Sequence, residues 1–157
     1  MRLALPPDVR AHLATELARA GSWEIGGQLF GEQLAPSNFR VLKASVQRHG
    51  GTVATFSVSA LHAWLSAFRF FRRTKRHFTR YNYLGEWHSH PSFDLYPSHQ
   101  DDLTMRSLVA GRHFKGAFAV LVIAKLVQEE LTARAWVYLP DGSQHDVNVS
   151  YEEDTHA

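Results

Sequence analysis

Apolar positions along the chain follow two periods. From Pro7 to Ala20 (PDVRAHLATELARA), Val9, Leu13 and Leu17 recur at helical spacing, with Pro7 and Asp8 at the start and Gly21 beyond the end. That pattern predicts a helix packing one face on a sheet. A longer helix is expected from a Ser59 cap to about Phe78, with Leu61, Trp64, Leu65, Phe68, Phe71 and Phe78 on its core side. Arg69, Arg72, Arg73, Arg76 and Arg80 form a basic stripe beside them. Such a stripe reads either as a solvated face or as a docking surface for an acidic partner. Strand-like runs cover residues 23–34, 39–48, 52–58, 81–90, 117–127, 131–139 and 143–151. The segments Ala35-Pro36-Ser37-Asn38 and Pro140-Asp141-Gly142 are turns by composition, which makes hairpins of the first two and the last two runs. The run AFAVLVIAKLV is apolar on both faces at its start and belongs in mid-sheet, whereas residues 152–157 read as a frayed tail. Helices and strands mixed in this way define an α/β class.

The run at 81–90 (YNYLGEWHSH) ends on two histidines one residue apart. Side chains alternate along a strand, so His88 and His90 share a face with Glu86 and Leu84, while Trp87 and Ser89 point the other way, Trp87 into the core. Ser89 is left with two readings, a partner for a backbone group or a contact for a substrate chain. Pro91 stops the strand, and an irregular loop runs to Pro97. From Ser98 the pattern turns helical (SHQDDLTMRSLVA), with Asp101 in the first turn and Ser98-x-x-Asp101 close to a capping box. Two imidazoles and one carboxylate suit zinc, and three protein ligands leave a fourth position open, the catalytic arrangement. Asp102 is a rival ligand to Asp101, but one residue on a helix turns a side chain by about 100°. Glu86 is a rival ligand or base on the histidine face. His99 and His113 read as surface or near-site residues. Upstream, Glu24 is followed by Gly26 and Gly27, where a bulge or a close backbone approach is allowed; on its own the glutamate reads as a solvated carboxylate beside a flexible turn.

His88-Ser89-His90-Pro91, then Ser98-x-x-Asp101, with Glu24-Ile25-Gly26-Gly27 upstream, resembles the JAMM (MPN+) metalloprotease family over about residues 6 to 127. The resemblance implies a mixed, curved β-sheet flanked by helices, with His88, His90 and Asp101 as zinc ligands. It further implies that Glu24 is the general base and acid and that Ser98 donates to the tetrahedral intermediate. The implied substrate is an amide bond after the C-terminus of a ubiquitin-like protein, whose extended tail would add as a strand beside the site. The compact form is similar to prokaryotic members, some of which accompany ubiquitin-like conjugation or anti-phage defence genes. Two other readings remain: a zinc amidase acting on a small or sulfur-carrier substrate, and a metal-free scaffold that uses the basic helix.

Composition narrows the chemistry further. The chain of 157 residues, 45% apolar, fits one domain spanning 1–157. Cysteine is absent, which removes thiolate zinc sites, cysteine nucleophiles and the Pro-Cys-x-x-Cys element of zinc deaminases. There is no Gly-x-Ser-x-Gly elbow. A formal charge of +2 does not argue for nucleic acid, and no apolar run reaches bilayer length, so a cytoplasmic protein is expected.

Overall fold

The computed structural model describes residues 1–48 and 60–153. Seven strands and three helices are present among them: β1 (Arg2–Leu5), α1 (Pro7–Ala20), β2 (Gly26–Ala35), β3 (Asn38–Ala44), α2 (Ala60–Arg73), β4 (Tyr81–Ser89), α3 (His99–Ala110), β5 (Ala119–Val127), β6 (Glu130–Tyr138) and β7 (Gln144–Tyr151). The expected strand at 52–58, the Ser59 cap and the side chains of Leu61 and Trp64 lie outside the described residues.

The strands join in the order β1-β3-β2-β4-β5-β6-β7 and close into a barrel, where the family resemblance implies a mixed, curved sheet. The difference rests on β1, four residues with no periodic signal of their own. It pairs in parallel with β3 on one side and β7 on the other and seals the seam. The tail is correspondingly pinned at its start: the Glu152 N–H donates to the Leu5 carbonyl and its carboxylate meets Arg40 at 2.9 Å.

Two apolar layers sandwich the sheet. On β5 the inward set Val120, Val122 and Ala124 joins α1 residues Val9, Leu13 and Leu17 in one core. The outward set Ala119, Leu121 and Ile123 packs with Met105 and Val109 of α3 in the other. Both faces of β5 are buried, as its uniformly apolar sequence requires.

Strand parity along β4 is interrupted. Leu29 faces Gly85 but Phe30 faces Tyr83, a bulge that absorbs Leu84. Gly85 takes φ 151 there, and an added Cβ would lie 1.9 Å from the Val120 carbonyl oxygen. Leu84 therefore joins the inner core with Trp87 and does not share the histidine face.

The second helix also differs from expectation. It ends at Arg73, and Leu65, Phe68 and Phe78 are exposed. Phe70 is buried in their place, stacked on Phe30 of β2 at 4.9 Å between ring centroids. The helix docks on β2 and β4 through that contact, which turns the expected core side partly outward.

Candidate metal centre

Three segments build the centre. The end of β4 supplies His88 and His90, both buried, with His88 in register with Gly26 of β2 and Ile123 of β5. The first turn of α3 supplies Asp101. Ser98 is its N-cap, and the expected capping box forms: the Ser98 N–H donates to Asp101 Oδ2 at 2.7 Å, and the Asp101 N–H donates to Ser98 Oγ at 3.2 Å. Such a box stabilises the helix start by about 1 kcal/mol and also fixes the carboxylate. The segment before β2 supplies Glu24, which lies just outside the strand it was expected to open.

The ligand atoms converge. His88 Nε2 and His90 Nε2 stand 3.2 Å apart, His88 Nε2 is 3.4 Å from Asp101 Oδ1, and His90 Nε2 is 3.6 Å from Asp101 Oδ2. Donor atoms around a tetrahedral zinc with bonds of about 2.0 Å are about 3.3 Å apart, and these separations, of which the last two end on the two different carboxylate oxygens of Asp101, are of that size. Three residues and one gap are compatible with a single metal ion. His90 is also oriented from behind: its Nδ1 lies 2.9 Å from the Asp94 carbonyl, so Nδ1–H donates there and Nε2 faces the centre.

Electrostatics agree with this arrangement. Burial opposes ionisation of Asp101, yet hydrogen bonds with His88 and His90, the charge of His88 and a hydrogen bond with the Ser98 side chain hold its carboxyl well below the usual carboxylate range. Burial lowers the basicity of His90, but the Asp101 hydrogen bond, the Asp94 carbonyl and the charges of Asp101 and Glu24 outweigh it and leave the imidazole more basic than usual. Glu24 is only 4% exposed. Burial pushes its carboxyl up, partly offset by His90 and His88, whose charges it senses.

Two residues not assigned from sequence hold the parts together. Ser89 Oγ accepts the Ile25 N–H at 3.0 Å, while the Ser89 N–H donates to the Ile25 carbonyl at 2.8 Å. This pair ties the residue after Glu24 to the residue between the histidines. Gly27 permits the close approach of that segment, since an added Cβ would meet the Ser45 carbonyl oxygen at 2.1 Å. The second is Asp102. It faces away from the histidines and accepts hydrogen bonds from the Tyr138 hydroxyl and, at 3.3 Å, from Gln144 Nε2. Gln144 also donates to the Tyr138 oxygen at 2.9 Å, so the rival ligand anchors α3 on the β6–β7 hairpin. Burial and the Asp102 carboxylate push the Tyr138 phenol up.

Glu86 faces Gln28 across the ladder and makes no ion pair with the centre; burial pushes its carboxyl up to about 7. His99 is exposed at the start of α3 and His113 is exposed beyond its end. Ser98 is exposed, with its oxygen accepting the cap bond and its hydroxyl hydrogen available to a further acceptor.

Fold and site together define a helix-flanked β-barrel with a His-x-His strand end and a helical aspartate closing a metal-sized gap. The chain belongs to the family described as prokaryotic homologs of the JAB domain, whose pattern it matches over residues 6–138. Among solved structures it is similar to protein DSY2949 from Desulfitobacterium hafniense, with 18% identity, a TM-score of 0.65 and coverage of 98% of this chain and 97% of that one. A Salinibacter ruber protein is similar at 20% identity and a TM-score of 0.56, covering 100% of this chain and 94% of that one. At such identities these likenesses concern the fold alone. No curated protein matches the chain. Among the described residues no helix is long and apolar enough to cross a membrane.

Proposed function

We propose that the protein is a zinc-dependent isopeptidase or peptidase acting on the amide bond that follows the C-terminus of a ubiquitin-like protein. The observation that carries this reading is the set of 3.2, 3.4 and 3.6 Å edges among His88, His90 and Asp101, beside a buried Glu24 whose carboxyl is pushed up. Two nitrogens and one carboxylate oxygen fit zinc, with His88, His90 and Asp101 as the holders. When bound, zinc supplies Lewis acidity, polarising a carbonyl and making a water molecule acidic near neutral pH.

The chain's own residues do the rest. Glu24 takes a proton from the attacking water as its oxygen bonds to the carbonyl carbon; the same proton then goes to the amine nitrogen as the C–N bond breaks. A carboxyl with raised basicity suits both halves of that transfer. The Ser98 hydroxyl donates to the oxyanion that develops on the carbonyl oxygen. Among the described residues β2 and β5 already occupy both edges of β4, so a substrate tail that adds as a strand beside the site would pair with another segment.

The test has two readouts. Purified chain is expected to hold one zinc per molecule, and Asp101→Ala to lose it; a wild-type chain without stoichiometric zinc ends the catalytic reading. Zinc-loaded protein is expected to cleave a ubiquitin-like fusion. Glu24→Ala is expected to lower that rate by about a hundredfold or more with zinc retained. A zinc-loaded chain that leaves every such fusion intact would move the reading to small amides.

A further inference from the structure

The basic stripe of α2 plays no part in the metal centre. The helix meets β4 near the Phe30–Tyr83 rung, roughly 15 Å along the strand from His88 at about 3.3 Å per residue. At its C-terminal end lies a groove of about 500 Å³, walled by Ala67, Phe68, Phe71 and Phe78 and rimmed by Arg72, Lys75 and Arg76. The wall is built by the backbone. Lys75 and Arg76 sit consecutively at φ 50 and 57, left-handed values that cost a non-glycine residue about 1 kcal/mol or more each. They reverse the chain so that Phe78 folds back on Phe71, at 5.0 Å between centroids, while remaining 53% exposed.

The rim is uncompensated. Among the described residues, Arg72, Lys75 and Arg76 make no ion pair, in contrast to neighbouring Arg80, which pairs with Glu32 at 2.7 Å. The adjoining side of the stripe, toward β3, carries further positive charge. Lys43 there is made less basic by burial and then by Arg73 and Arg69. Among the described residues, apart from the Glu32 paired with Arg80, no carboxylate pairs with these cations, on a chain whose formal charge is only +2.

We propose that this groove docks an acidic segment of another protein, with one large apolar side chain seated against Phe71 and Phe78 and flanking carboxylates on Arg72, Lys75 and Arg76. An apolar floor ringed by cations is complementary to that chemistry, since the anchor is desolvated while the charges stay at the wet rim. The aromatic rings favour it over nucleic acid. Phe71 and Phe78 lie tilted by 56° against each other, whereas base stacking needs open parallel faces.

Fluorescence anisotropy of the zinc-loaded full chain tests this, with a labelled peptide of one phenylalanine between runs of glutamate. Saturable binding is expected, weakened about tenfold when serine replaces the peptide's phenylalanine. A loss of about tenfold is also expected in the Arg72→Glu/Arg76→Glu double variant and in Phe78→Ser, all exposed positions, while Arg69→Glu/Arg73→Glu on the adjoining side changes affinity less than about threefold. Equal binding of the two peptides, equal losses from both arginine pairs, or no saturation at millimolar peptide overturns the proposal. Tighter binding of a thymidine oligonucleotide overturns it too, assigning the groove to nucleic acid. None of these readouts depends on hydrolysis.

Discussion

Asp101 answers to two neighbours at once: one oxygen closes the capping box with the Ser98 amide, and both face imidazoles. Its meeting with His88 and His90 was legible in the sequence, because strand parity pairs the two histidines and the spacing of the family motif picks Asp101 over Asp102. For Ser89 a backbone partner was one of two readings, but which backbone group was not legible, because Ile25 lies 64 residues away and nothing in either neighbourhood announces the pairing. Removing the hydroxyl leaves a buried backbone donor without its acceptor. Ser89→Ala is therefore expected to lower stability by about 1–3 kcal/mol and to speed hydrogen exchange at the Ile25 amide, with zinc stoichiometry unchanged. Exchange at Ile25 equal to that of the wild type would show that the bond does not hold the Glu24 segment in place.

Among the elements, α3 matters most because the candidate ligand Asp101 rides on its first turn. It is held by apolar contacts of Met105 and Val109 and by the Asp102, Tyr138 and Gln144 cluster one residue beyond the ligand. Asp102→Ala and Tyr138→Phe are expected to weaken zinc binding about 10- to 100-fold, as loss of supporting groups around metal ligands commonly does. Asp102→Asn keeps an acceptor for the Tyr138 hydroxyl and is expected to lose less. Competition against a chelator of known affinity measures all three. Elements were less legible where local pattern allowed two answers. The stretch WLSAFRFFRR of α2 is apolar on most sides, and only the long-range partner Phe30 selects Phe70 for burial. On β4 a one-residue bulge at Gly85 reverses the parity of Leu84, which period-two counting cannot foresee.

Across the whole molecule, strand and helix positions were largely readable, but closure was not. A four-residue β1 carries too little pattern to show that it bridges β3 and β7. A long-range ion pair adds a pH dependence to this assembly. Glu16 of α1, 4% exposed, accepts two hydrogen bonds of 2.8 Å from Arg48 beyond β3. The Arg48 hydrogen bond, opposed by burial and reinforced by the charges of Arg48 and Arg19, holds the Glu16 carboxyl below its ordinary value. A depressed carboxyl stabilises the fold above its unfolded-state value of about 4.5 and loses that contribution as pH falls below it. Because Arg48 is more than half exposed, the contribution is about 1 kcal/mol. Glu16→Gln is expected to lower stability by that amount at pH 7 and to flatten the acid limb of a stability profile between about pH 5 and 3, read by denaturant melts.

The seam has a mechanical meaning as well. Because β1 and β7 run parallel, tension between Arg2 and Tyr151 drags the two strands lengthwise past each other. The rungs from Arg2–Asn148 to Leu5–Tyr151 then bear the load together, so a tug from an unfoldase meets a latch under shear where an antiparallel edge would peel open like a zipper.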